Sequence, residues 1–273
     1  SYNNIGNLYY VLGDYVQALE YYNKALELQI ATLGEKHKDT AAYYNNIGIV
    51  YRKLGDYYKA FEYYNKALKI RREVLGEKHK DTANSYNNIG VVYRNLGDHD
   101  KALEFYNKAL KIRREVLGEK HKDIAGSYNN IGVVYAKLEE YDKALRYYNK
   151  SLEIKKEVLE ENYPSIATSY NNIGNIYNKL GKYNEALENY NKALEIRKER
   201  LGEKHPDTAI SYNDIGVVYY ELGKYNEALE NYNKALEIRK ERLGEKHPDT
   251  KQTKENIKIA KQKLKELQVK REE

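Results

Sequence analysis

The 42 residues SYNNIGVVYRNLGDHDKALEFYNKALKIRREVLGEKHKDIAG (85–126) decide how this chain folds. Tyr86, Ile89, Gly90, Tyr93 and Leu96 recur at spacings of three, four, seven and ten, which places them on one face of an α-helix. Gly97 follows the last of them, where the left-handed turn that ends a helix favours glycine. A second stripe runs through Ala102, Phe105, Tyr106, Ala109, Leu110, Ile112 and Leu117 and stops at Gly118. At about 1.5 Å per residue, this second helix is about 28 Å long. The stretch is a helix–turn–helix whose two apolar faces have no core of their own.

The same block begins at Ser1 and returns at Tyr43, Ser85, Ser127, Ser169 and Ser211. A fixed period of this kind means a solenoid, in which each repeat buries its apolar face against its neighbours. The expected organisation is all-α: six repeats at 1–42, 43–84, 85–126, 127–168, 169–210 and 211–252. A capping helix at 253–273 follows, with Ile257, Ala260, Leu264 and Leu267 as its apolar stripe. Such an array builds long surfaces rather than closed catalytic pockets.

The small residues have packing reasons. Gly90 sits mid-helix, where it costs about 1 kcal/mol relative to Ala, and Gly6, Gly48, Gly132, Gly174 and Gly216 repeat that cost. Close approach of the paired helices is the expected compensation. In the Gly-Glu-Lys-His-(Lys/Pro)-Asp linker, Pro206 and Pro248 suit a first helical position, and Asp207 and Asp249 suit the positive end of the helix dipole. The fourth repeat departs from the rule. Glu139 and Glu140 replace the Gly-Asp turn, and Glu160 to Tyr163 replace Gly-Glu-Lys-His.

Tyr2, Ile5, Gly6 and Tyr9, followed by Ala18, Tyr22 and Ala25, resemble the tetratricopeptide repeat pattern, with Tyr for the usual first Trp. Residues 193–207 leading into 211–216 are similar to the 42-residue repeats of kinesin light chains. The resemblance covers residues 1–252. It implies a right-handed superhelical solenoid and a non-catalytic scaffold for protein or peptide partners.

Charged residues make up 32% of the chain, spread along every repeat, with a net charge of +6. That balance leans towards acidic partners and falls well short of a dedicated nucleic-acid binder. Cys is absent, which excludes disulfides and thiolate metal sites. No apolar run is long enough to span a membrane. The expected location is cytoplasmic. Since Met is absent and Ser1 opens inside a repeat with nothing to cap it, further repeats are expected to precede it, and the exposed first repeat is expected to give weak end-to-end self-association.

The polar positions that carry most information are the paired asparagines of each block. Eleven of the twelve are Asn, the exception being Asp214, although Asn is a mediocre helix former. On a helical wheel Asn46, Asn88, Asn130 and Asn172 lie opposite the core face. They share a stripe with Ile49 and Lys53, Val91 and Asn95, and Val133 and Lys137. Amides offer donor and acceptor together and suit the backbone of an extended peptide. The tetratricopeptide resemblance implies that role in the concave groove. The alternative is that the amides satisfy neighbouring repeats; backbone binding is the expectation for the second Asn, not the first. Arg52 and Arg94, with Lys53, Lys137 and Lys179, make the middle of the stripe basic, whereas repeat six supplies Asp214 and Glu221. An acidic peptide over repeats two to five is the expected ligand.

Other chemistry finds little support. Five of six histidines recur at one linker position, one per repeat, too far apart to share a metal ion. The 31 tyrosines fall mostly on the core face rather than forming a stacking platform for nucleic acid. No phosphate-cradling loop or catalytic set stands apart from the repeat, so neither enzyme activity nor a cofactor is expected. Residues 180–208 and 222–250 are identical, which leaves open a second reading: a structural or consensus-type array with no selected ligand.

Overall fold

The computed structural model describes residues 1–160 and 163–272, with side chains placed through 269. Glu161 and Asn162, in the aberrant linker, lie outside the described residues. Thirteen α-helices and no strand occur among the described residues. The chain divides into two compact units, Ser1–Glu139 and Glu140–Glu273. Unit 1 holds α1 (Tyr2–Leu12), α2 (Tyr15–Leu33), α3 (Lys38–Lys53), α4 (Tyr57–Leu75), α5 (Lys80–Asn95), α6 (His99–Leu117) and α7 (Lys122–Lys137). Unit 2 holds α8 (Tyr141–Val158), α9 (Pro164–Lys179), α10 (Tyr183–Leu201), α11 (Pro206–Glu221), α12 (Tyr225–Leu243) and α13 (Pro248–Glu272). Odd-numbered helices are the first of each repeat and even-numbered ones the second. The helices starting at Lys38, Lys80, Lys122, Pro164 and Pro206 begin five residues before the Tyr/Ser-Tyr-Asn-Asn block, so that block starts inside a helix.

The turns follow from the sequence. Gly13, Gly55, Gly97, Gly181 and Gly223 take φ between 70° and 82°, open to a residue without Cβ. Glu139 occupies the same left-handed conformation at φ 60°, alone among the described non-glycine residues, at a cost of about 1–2 kcal/mol. The linker histidines cap helices. Nδ1 of His37, His79, His121, His205 and His247 accepts the backbone N–H two residues on, at 3.1–3.2 Å. That geometry requires a neutral ring with its proton on Nε2.

Gly90 is explained by one contact. A Cβ there would lie 2.8 Å from the ring of Tyr106, and Gly6, Gly48, Gly174 and Gly216 meet Tyr22, Tyr64, Tyr190 and Tyr232 in the same way. The glycine of the first helix is the seat for a tyrosine ring of the second. In α13, Lys258 stands 42 residues after Gly216. Among the described residues no second helix presses a tyrosine against that position, and lysine stands there in place of glycine. Otherwise α13 repeats the packing of a first helix: Ile257 and Ala260 join Ala228 and Tyr232 in one cluster, with Leu264 and Leu267 half-buried beyond them.

Candidate functional site on the first-helix stripe

Along each compact unit the first helices present their paired asparagines and the residues three, six and seven positions beyond the second Asn. In unit 1 the amides are tied to one another across repeats. Nδ2 of Asn46, Asn88 and Asn130 donates to Oδ1 of Asn3, Asn45 and Asn87, at 3.4, 2.8 and 3.0 Å. In unit 2, Asn171 Nδ2 donates to Asp214 Oδ2 at 3.1 Å, and Asn172 is half-buried. Each rung in unit 1 uses one N–H of the second asparagine, the residue expected to face ligand. The amides serve the scaffold first.

A second inter-repeat device uses charged residues that the sequence pattern alone reads as surface. Arg71, Arg113, Arg197 and Arg239, on the second helices, are at most 8% exposed. Arg113 donates to Asp123 O at 3.1 Å, to Ser127 Oγ at 2.7 Å and to Asn84 Oδ1 at 2.8 Å, joining α5, α6 and α7. Arg197 likewise reaches Ser211 Oγ and Asn171 Oδ1, at 2.6 and 3.0 Å. Burial lowers the pKa of all four guanidiniums. Lys155 fills the same place in the fourth repeat, donating to Ser165 O and Ser169 Oγ, and burial pushes it down to about 8. The signal was present: Tyr64, Ala67, Leu68 and Arg71 complete one helical face, at spacings of three, four and seven. A charged residue on an apolar face reads as surface unless its partners are known.

The remaining stripe residues differ between the units. Arg52 and Arg94 are half-buried, Lys53, Lys137 and Lys179 are exposed, and none of the five forms an ion pair among the described residues. Ile49, Val91 and Val133 are half-buried, Ile49 against the cluster that contains Tyr64. In repeats one and five the position of Ile49 is occupied by Asn7 and Asn175. There the buried tyrosine hydroxyl is satisfied: Tyr22 donates to Asn7 Oδ1 and Tyr190 to Asn175 Oδ1, both at 2.6 Å. Opposite Ile49 and Val91 the hydroxyls of Tyr64 and Tyr106 are buried and their protons have no acceptor, although the Arg52 guanidinium approaches the Tyr64 oxygen as a donor. Burial pushes Tyr106 up to about 12, while the nearby guanidiniums of Arg94 and Arg52 draw it back. Burial also raises Tyr64, with Arg52 opposing.

Unit 2 carries its charge differently. Burial raises the pKa of Asp214, against the pull of Asn171, Arg197, Asn213 and Arg239. Its stripe ends in Tyr220 and exposed Glu221. No group of three or more His, Cys, Asp or Glu placed to hold a metal occurs among the described residues. No described helix is long and apolar enough to cross a membrane. The open surface hollows of about 640–700 Å³ lie off the stripe, around Arg72 and Glu77, Tyr163 and Arg200, or Tyr170 and Lys192.

A stack of glycine-seated helix pairs is the tetratricopeptide architecture, and the tetratricopeptide repeat family model matches residues 1–73, 39–115, 81–157, 123–199, 165–241 and 207–268. The chain belongs to the tetratricopeptide repeat family. It is similar to the crystal structure of BtubC (BKLC) from P. vanneervenii, with a TM-score of 0.69 and 26% identity, covering 86% of this chain and 92% of that one. It is also similar to the Podosopora anserina putative kinesin light chain with nearly identical TPR-like repeats (TM-score 0.63, 20% identity, 75% and 97% covered). A third similar structure is the Rap protein complexed with Competence and Sporulation Factor (TM-score 0.66, 20% identity, 97% and 75% covered). The last two likenesses show the fold. Among curated proteins no sequence matches the chain.

Proposed function

We propose that this chain is a non-catalytic interaction scaffold that binds an extended acidic peptide along the first-helix stripe of unit 1. One observation carries the reading: Arg52 and Arg94 stand on that stripe without an ion-pair partner, and no carboxylate shares it across α1, α3, α5 and α7. Unpaired cations beside a neutral amide row favour an anionic ligand by long-range attraction and by register. Ile49, Val91 and Val133 supply apolar contact, and Asn46, Asn88 and Asn130 keep a second N–H beyond the one spent on the rung. Lys53 and Lys137 extend the basic surface. Asn172 and Lys179 offer the same chemistry separately on unit 2. Exposed Leu8 and Val11 on α1 support weak self-association.

The asparagine rungs favour a second reading, an array whose amides are struts and which has no selected ligand. Fluorescence anisotropy with a labelled Glu-rich peptide separates the two. Arg52→Glu with Arg94→Glu should weaken binding at least tenfold and flatten its salt dependence. Asn88→Ala with Asn130→Ala should weaken it by about 0.5–1.5 kcal/mol per lost bond. If the asparagine pair only lowers stability and the arginine pair changes nothing, the strut reading stands.

A further inference from the structure

Unit 1 contains two buried hydroxyls that its fold does not use. Tyr64 is 1% exposed and Tyr106 fully buried; the Arg52 guanidinium approaches the Tyr64 oxygen as a donor, but neither phenol proton has an acceptor. The rings alone do the packing, since each is pressed onto Gly48 or Gly90. A phenylalanine would meet that demand and avoid the penalty of an unsatisfied buried polar group. Repeats one and five keep the tyrosine and supply an acceptor, Asn7 or Asn175. Repeats two and three keep the tyrosine and put hydrocarbon there, at Ile49 and Val91.

The neighbouring side chains show what is missing. The guanidinium of Arg52 acts on both Tyr64 and Tyr106, and that of Arg94 acts on Tyr106. A phenol oxygen can accept from a guanidinium, but its own proton then still needs an acceptor. Two guanidiniums and two O–H groups make a place rich in donors: Arg94 donates to exposed Asn95 Oδ1 at 3.5 Å, and neither phenol proton has an acceptor. We propose that Arg52, Arg94 and the hydroxyls of Tyr64 and Tyr106 together form a seat for a side-chain carboxylate of the bound peptide, confined to repeats two and three. This rests on the acidic-peptide reading above and adds to it a register and a pair of residues that charge alone would not select. Both phenol oxygens are covered in the structure, so the carboxylate reaches them through a side-chain rotamer change of the kind common at binding surfaces. Where Asn7 or Asn175 accepts the phenol proton, the seat is closed.

The test uses the full chain and a 12-residue peptide of alternating Glu and Ala, fluorescein-labelled, N-acetylated and C-amidated, so that its only carboxylates are on side chains. Tyr64→Phe with Tyr106→Phe should weaken binding about tenfold, the scale of one charge-assisted hydrogen bond, with a urea midpoint equal to or above that of the parent. Ile49→Asn with Val91→Asn should give the same loss with both arginines intact, because the new amides accept the phenol protons as Asn7 and Asn175 do. Parent affinity in both pairs overturns the tyrosine seat. If Arg52→Gln with Arg94→Gln then still weakens binding, the acidic-peptide reading survives without it. Binding by the parent chain no tighter than to an alternating Gln and Ala peptide overturns both. Binding confined to the unamidated peptide overturns the assignment to a side-chain carboxylate.

Discussion

Units 1 and 2 share their helix pairs, their glycine-seated tyrosines and, from the second repeat on, a buried cation at the repeat junction, where the first repeat has Gln29, yet they handle charge in different ways. In unit 1 the buried Arg71 and Arg113 are held by carbonyl, hydroxyl and amide oxygens, and the free cations sit on the first-helix stripe. In unit 2 a carboxylate, Asp214, has entered the amide row, with Arg197 and Arg239 acting on it from the second helices. Unit 1 leaves two phenol protons unpaired, whereas in unit 2 Tyr190 finds Asn175. The comparison separates two kinds of position. Those that press one helix on the next are the same in both units, and those on the stripe are not, so the stripe is where the repeats acquired different chemistry.

The largest expected effect tests the charge difference. Arg197→Met should cost about 2 kcal/mol, because it removes a cation that acts on the half-buried carboxylate of Asp214, whereas Arg71→Met should cost about 1 kcal/mol. Urea denaturation followed by circular dichroism measures both. Equal losses would mean that Arg197 does not stabilise Asp214 and that the units do not differ in the way described.

A smaller effect tests the hydroxyls. Tyr22→Phe and Tyr190→Phe each break a bond to an exposed asparagine, for a loss of about 1 kcal/mol. Tyr64→Phe and Tyr106→Phe should leave stability unchanged or raise it by about 1 kcal/mol. Thermal melts of the four single variants decide it, and a uniform loss would show that Tyr64 and Tyr106 are satisfied in solution.

The smallest effect concerns helix starts. In unit 1, Asp14, Asp56 and Asp98 accept backbone N–H groups at the N-termini of α2, α4 and α6, at 3.0–3.1 Å. In unit 2, Lys182 and Lys224 occupy the equivalent places and make no such bond. Lys182→Asp and Lys224→Asp should each stabilise the chain by about 1 kcal/mol or somewhat less. An unchanged midpoint would mean that these helix ends are already satisfied by solvent.

The sequence by itself determined the repeat, its two helices, the left-handed glycine turns and the apolar face of the last helix. These follow from local rules: a period of 3.6, the steric freedom of glycine, and the need of each helix pair for a neighbour. A helical wheel, being a one-helix calculation, also put Asn46, Ile49 and Lys53 on one side of their helix. Only the tertiary structure decided what the polar residues do. The amide of Asn88 meets that of Asn45 because two helices from adjacent repeats lie side by side, and no pattern within one helix specifies that register. Arg113 is buried because three helices close over it, although its charge alone reads as surface. The idle hydroxyls of Tyr64 and Tyr106 became visible for the same reason. Whether a polar group is satisfied depends on what stands opposite it in space, and here that group is on the neighbouring helix.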